Sequence, residues 1–320
     1  MNIVLLERNS VGTDVDVSCF ETLGHVTSYG NTVTAEEVRE RVRDAEIIIA
    51  NKAPMRRESL QDAPNVRLIC LLATGYDNCD LAYCTERGIR VCNAVNYSTA
   101  MVAQHTFTLA LSLMQKIVHY DRYVKSGAYS AQDRFSNFDA PFRELDGKTW
   151  GIVGMGNIGS RVARIAEAFG CRVICHSLTG RAKDSLYERV DKETLLAQSD
   201  VISLHCPLSD LSRDFIDAEA LKKMKKSAVL INVARGPVVN QQALYDALVS
   251  EEIAGAALDV MAKEPLPAED PLMKIQDSGR LIITPHLAWA GVEARERCVR
   301  EVYDNICAYQ QGSSRNVVNR

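Results

Sequence analysis

The chain has 320 residues, 47% hydrophobic and 24% charged, with a formal net charge of −4. That length holds two domains with cores of their own, and mild acidity interleaved along the chain argues against nucleic acid or an anionic membrane as a main partner. No apolar run reaches the ~20 residues of a membrane helix, and an acid, Glu7, follows directly on the apolar start, so no signal peptide is expected and a cytoplasmic location is.

From the start, short β-type runs alternate with helical patterns. Residues 2–6, 25–28, 47–50, 67–70 and 89–92 read as strands, with helices over 34–43, 56–61 and 79–87 between them. Alternation of this kind means parallel strands joined by crossovers, so residues 1–98 form a first α/β unit. Residues 98–115 follow as a helix that is apolar almost all round. Such a helix has to be covered on every side, between domains or by a second copy, and a homodimer is expected. The stretch 119–147 is polar and rich in turn residues. Ten cysteines are spread along the chain with no C-x-x-C pair, several inside apolar strand patterns, which predicts reduced, buried thiols and no metal site.

The strand 149–153 runs into Gly154, Gly156 and Gly159, spaced G-x-G-x-x-G, and a helical pattern over 160–169 follows at once. A tight turn, a close backbone approach to pyrophosphate and a helix N-terminus rich in unpaired N–H groups are what a dinucleotide-binding turn needs. Gly154, Gly156, Asn157, Ile158 and Gly159 are therefore cofactor candidates. Alternation resumes with strands over 171–176, 200–204, 228–233, 253–258 and 280–284, long apolar runs that suit a parallel sheet covered on both faces. A basic run at 222–226 closes a predicted helix, where cations complement the dipole. The last helical pattern, 291–311, can cross back to the first unit. The expected fold is α/β with two domains: a flavodoxin-like substrate domain (1–98 with 288–320) and a Rossmann doubly wound parallel sheet (99–287).

Three further places put a chemically loaded residue at a strand's C-terminal end, where open α/β sheets bind ligands. They are Arg235, the segment holding Asp259 and Glu264, and His286. A guanidinium grips a carboxylate with two bonds, and a histidine trades a proton near neutral pH. A carboxylate beside that histidine fixes its tautomer. The set suits a keto or hydroxy acid next to a nicotinamide. His105 and His205 read as packed or backbone-bonded histidines, and His25, His119 and His176 show no partner pattern.

Seven segments then match in order: AlaThrGlyTyrAspAsnCysAsp (73–80), ValAlaGlnHisThr (102–106), the glycine turn (147–159), LeuHisCysProLeu (204–208), IleAsnValAlaArgGly (231–236), AlaLeuAspValMetAlaLysGluProLeuPro (257–267) and ThrProHisLeuAlaTrpAla (284–290). On these, essentially the whole chain resembles the D-isomer-specific 2-hydroxyacid dehydrogenase family. The last of them, together with 129–141 and the closing ArgAsnValValAsn, resembles its glycerate dehydrogenase (hydroxypyruvate reductase) branch. The resemblance implies that His286 protonates the substrate carbonyl while a nicotinamide delivers hydride, that Glu264 holds His286 and raises its pKa, and that Arg235 pairs with the substrate carboxylate. It implies that the backbone N–H groups of Ala73 and Thr74 complete the carboxylate cradle. Asp259 is implied to accept from the nicotinamide carboxamide, and Val102, Cys206, Pro207 and Ala234 to line the cofactor. Lys52, after a first-domain strand, is a candidate substrate contact.

An NAD site of this kind normally carries an acid about 20 residues beyond the glycines to hold the ribose 2′-OH. Ser177 stands there, with Arg181 four residues on, so NAD and NADP are both open. The reading is reduction of hydroxypyruvate or glyoxylate to the D-2-hydroxy acid in the cleft between the domains. D-lactate or 3-phosphoglycerate as substrate, or a non-catalytic NAD-sensing binding protein, are the alternatives.

Overall fold

In the computed structural model, residues 1–180 and 186–319 are described. The chain divides into two compact units, Met1–Ser98 with Trp289–Arg320, and Thr99–Ala288.

The first unit is a parallel sheet of β1 (Asn2–Leu5), β2 (His25–Ser28), β3 (Ile47–Ala50), β4 (Leu68–Leu71) and β5 (Arg90–Cys92), in the order β2-β1-β3-β4-β5. That is the flavodoxin-like order. Helices α1 (Ala35–Arg41), α2 (Arg57–Leu60) and α3 (Leu81–Glu86) lie in its crossovers. Ile47, Ile48 and Ile49 are all fully buried. An unbroken apolar run arises because both faces are covered, and each such side chain stabilises by about 1.5–3 kcal/mol relative to exposure. The helices begin where short polar side chains take up orphan N–H groups: Thr34 and Glu37 form a capping box on α1, and Asp80 caps α3.

The second unit carries α4 (Thr99–Met114), α5 (Ile117–Lys125), α6 (Ala128–Ala131), β6 (Thr149–Val153), α7 (Asn157–Ala168), β7 (Arg172–His176), β8 (Glu188–Arg189), α8 (Lys192–Gln198), β9 (Val201–Leu204), α9 (Ala218–Lys223), β10 (Val229–Asn232), α10 (Gln241–Val249), β11 (Gly255–Leu258) and β12 (Leu281–Ile283). Its strands pair in the order β12-β11-β10-β9-β6-β7-β8, all parallel. This is the doubly wound Rossmann arrangement, with the strand order reversing between β6 and β9. Trp150 on β6 is fully buried and donates its indole N–H to Ser203 on β9 at 2.8 Å, so the largest core side chain keeps its polar atom satisfied. The closing helix α11 (Val292–Gln310) belongs to the first unit and packs on β4.

Two expectations change here. Helix α4 needs no second copy to cover it: Val102, Ala103, His105, Phe107, Leu109, Ala110 and Leu113 are buried within its own unit, against α7 and β10–β12, while Gln104 and Thr108 face outward. The stretch 119–147 is not merely loop. It includes α5 and α6, and displays Phe135 (89% exposed), Phe138 (73%) and Phe142 (57%). The basic run at the end of α9 pairs inside the protein, Lys222 with Glu219, Lys223 with Glu193 and Lys225 with Asp200. Among the described residues no helix is long and apolar enough to cross a membrane.

Candidate active site

In the second unit the glycine turn leaves β6 at the switch point. Gly154 has φ +94°, and a Cβ there would meet the backbone of His205 and Cys206 at 2.9 Å, so the loops after β6 and β9 touch backbone to backbone. A Cβ on Gly159 would strike the carbonyl oxygen of Gly154 at 2.1 Å, so that glycine lets α7 press against the strand it follows. At Gly156 the same test meets nothing within 4 Å. Gly156 is exposed and N-caps α7, twelve residues long, with Asn157 and Ile158 in its first turn. Open space before a helix N-terminus, with no side chain in the way, fits a dinucleotide pyrophosphate. Cys206, Ala234 and Val102 are buried and Pro207 is exposed. Ser177 directly follows β7 and is half-buried; Arg181 lies outside the described residues.

Arg235 sits on the turn after β10. Asn232 shapes that turn from both sides, donating from Nδ2 to the Arg235 carbonyl and accepting from the Ala234 N–H, each at 3.0 Å. Nη1 of Arg235 donates to the Ala234 carbonyl at 2.8 Å, which orients the guanidinium. A Cβ on Gly236 would overlap the Met261 carbonyl carbon and oxygen at 1.9 Å, so the turn bearing Arg235 lies directly on the loop after β11. That loop carries Glu264, whose Oε1 accepts from the Met261 N–H at 2.9 Å and whose Oε2 lies 2.7 Å from Nδ1 of His286.

His286 is held in the left-handed region at φ +53°, where a side chain other than glycine is strained. Its N–H donates to the Asp259 carbonyl at 2.8 Å and the Thr284 carbonyl at 3.0 Å, and Glu264 holds its ring. Strain kept in place by several anchors is typical of a working position. The side chains of His286 and Glu264 are 25% and 36% exposed, so the pair is open to a ligand.

Asp259, implied to accept from the nicotinamide carboxamide, is also a structural anchor. Its carboxylate is 1% exposed; it accepts from the Thr284 hydroxyl (2.6 Å) and the N–H groups of Leu287 (2.9 Å) and Ala288 (2.8 Å), with Nε2 of His105 3.5 Å away. Burial pushes this carboxyl up, but the hydrogen bonds from His105, Thr284, Ala288 and Leu287 outweigh it and hold the carboxyl below its usual range. Both oxygens help to fix the 284–288 loop from inside. Asn232, Gly236 and Thr284 were not singled out from the sequence, although each lies inside a matched segment. His205 offers no competing acid: burial pushes its imidazole down to about 3, so it stays neutral.

In the first unit, Ala73 and Thr74 follow β4 and are anchored by their carbonyls, Ala73 to the Ala94 N–H (2.9 Å) and Thr74 to the Asn93 side chain (2.7 Å). The Thr74 hydroxyl donates to the Ala94 carbonyl at 2.9 Å. Lys52 follows β3 with its side chain exposed.

A phosphate-binding turn at a Rossmann switch point, with a histidine–carboxylate pair and an arginine on the same rim of the sheet, defines a dinucleotide-dependent oxidoreductase. The family model described as the D-isomer specific 2-hydroxyacid dehydrogenase NAD binding domain matches residues 107–288. A glycerate dehydrogenase of Methylorubrum extorquens is 40% identical over 316 residues, 99% of this chain and 98% of its own length. A hydroxypyruvate reductase of Blautia hydrogenotrophica is 37% identical over 325 residues, covering 100% of both. Among solved structures, a D-lactate dehydrogenase of Aquifex aeolicus complexed with NAD and lactic acid aligns with a TM-score of 0.84 at 29% identity, over 98% of this chain and 96% of that one. An acyclic imino acid reductase in complex with NADPH and D-Arg aligns with a TM-score of 0.88 at 28% identity, over 99% and 100%. The chain belongs to the D-isomer-specific 2-hydroxyacid dehydrogenase family, and is an NAD(P)-dependent enzyme of that family.

Proposed function

We propose that the enzyme reduces hydroxypyruvate, and glyoxylate less well, to D-glycerate and glycolate. The observation that carries this is the His286–Glu264 pair at 2.7 Å on the rim that bears the glycine turn, in a chain 40% identical to a glycerate dehydrogenase. The bound dinucleotide supplies the hydride that adds to C2 of the keto acid. Arg235 grips the substrate carboxylate and draws electron density toward the carbonyl oxygen. With Nδ1 held by Glu264, His286 presents Nε2, which gives its proton to that oxygen as negative charge develops on it. In the reverse direction the same nitrogen takes the hydroxyl proton. Asp259 acts one step back, keeping the loop of His286 in place. In the first unit, the N–H groups of Ala73 and Thr74 and the ammonium of Lys52 receive the substrate.

A panel of 2-keto acids with NADH and NADPH, followed by absorbance, tests this. The largest kcat/KM is expected for hydroxypyruvate; a tenfold larger value for pyruvate overturns the substrate. Ser177 presents no fixed negative charge to a 2′-phosphate, so both cofactors are expected to serve, and a hundredfold preference for NADH overturns that expectation.

We further propose a cytoplasmic homodimer. Ten free cysteines agree with a reducing compartment. A groove of about 480 Å³ lined by Tyr120, Tyr123, Tyr129, Phe135, Phe138 and Phe142 is an apolar surface of the kind that subunits cover. Replacing Phe135 and Phe138 by Asp should convert the dimer to monomer in sedimentation velocity; a monomeric parent protein would sink the proposal.

A further inference from the structure

Glu7 directly follows the first apolar run of the chain, and the chemistry described so far makes no use of it. It is buried, 7% exposed. Because β1 pairs with β3 in parallel register, Leu5 opposite Ile49, the carboxylate reaches the loop that leaves β3. There it accepts three successive backbone N–H groups. Oε2 takes those of Asn51 (2.6 Å), Lys52 (2.9 Å) and Ala53 (2.9 Å), and Oε1 lies 3.0 Å from that of Lys52. Successive N–H groups converging on one anion make a nest, here filled by the protein's own carboxylate. The carbonyl side of the same loop is gripped by Asn78, whose Nδ2 donates to Ala53 at 2.8 Å and to Asn51 at 3.4 Å. Asn78 comes from the segment after β4 that also carries Ala73 and Thr74.

The clamp leaves the loop one way to point its side chains. Asn51 and Ala53 are buried, and Lys52 between them is exposed. A loop held only to close a crossover has no need of a buried carboxylate across three peptides, since a short turn satisfies such groups in water. We propose that Glu7 is a positioning residue for substrate selection: with Asn78 it fixes the 51–53 backbone so that the Lys52 ammonium meets the C3 hydroxyl of hydroxypyruvate. Glyoxylate lacks that hydroxyl, so the clamp acts on the choice between the two substrates. The proposal rests on the reading of Lys52 as a substrate contact.

The test compares Glu7→Gln, Asn78→Ala, Lys52→Met and the Glu7→Gln/Lys52→Met double variant with the parent enzyme, measuring KM for hydroxypyruvate and for glyoxylate. A lost hydrogen bond to a charged group corresponds to about tenfold or more. Lys52→Met and Glu7→Gln should each raise KM for hydroxypyruvate about tenfold more than KM for glyoxylate, and the double variant should add little, because both act through one contact. Asn78→Ala should move the ratio the same way, and carries the test if a thermal melt shows Glu7→Gln unfolded. If Lys52→Met shifts the ratio while Glu7→Gln and Asn78→Ala raise both KM values equally, the clamp is only structural and the proposal falls with the reading of Lys52 intact. If Lys52→Met leaves the ratio where it was, that reading fails and takes the proposal with it.

Discussion

Replacing His286 by Ala is expected to lower kcat for 2-keto acid reduction by roughly 10²–10⁴, the usual contribution of a positioned general acid, while NADH still binds. The expectation follows from the ring's anchoring. Nδ1 lies 2.7 Å from Glu264 and the backbone N–H donates twice, so the side chain is fixed with Nε2 presented. Glu264→Gln keeps the shape but removes the charge and is expected to cost less, about 10- to 100-fold, as loss of a group that orients its neighbour does. Stopped-flow reduction of hydroxypyruvate, beside NADH binding read by fluorescence, separates chemistry from cofactor affinity. Turnover by His286→Ala within threefold of the parent would remove the residue from the mechanism.

Much of this rim was legible because each of its parts is local. A strand, a glycine turn and a helix occupy consecutive residues, and Gly154, Gly156 and Gly159 leave their mark at fixed spacing whatever else the chain does. Arg235 and His286 each come just after a recognisable apolar strand, and Glu264 lies in the loop that follows another. What sequence could not supply were contacts between distant residues. Glu7 grips a loop more than forty positions away, and its only local trace was an acid after an apolar run. The resemblance implied a cofactor contact for Asp259, but not that Thr284, Leu287 and Ala288, 25 to 29 residues on, anchor its carboxylate. Helix α4 read as a surface needing a partner since its apolarity shows in sequence, whereas α7 and three strands that cover it do not. Helix α5 was missed because its apolar stripe, Ile117, Tyr120 and Val124, is short and sits at the start of a polar, turn-rich stretch; none of its residues is buried.

Arg235→Lys tests the other half of the chemistry, and the change is not conservative. The guanidinium is half-buried, and its Nη1 bond to the Ala234 carbonyl sets the direction of its planar fork. Asn232 and the contact of Gly236 with Met261 fix the backbone beneath it. A carboxylate meeting such a fork takes two charge-assisted bonds, at roughly 1.5–3 kcal/mol each. Lysine offers a point charge on a flexible stem and cannot reproduce both. A loss in kcat/KM of about 10²–10⁴ is therefore expected, with KM for the keto acid rising because the carboxylate is bound in the ground state as well as in the transition state. Arg235→Ala should lose at least as much, and added guanidinium ion should restore part of its activity but none of that of Arg235→Lys, whose ammonium occupies the space. NADH affinity should stay within about threefold in both, since the glycine turn is untouched. A lysine variant within threefold of the parent in kcat/KM would mean that Arg235 acts as a diffuse positive charge and that the substrate carboxylate is gripped elsewhere.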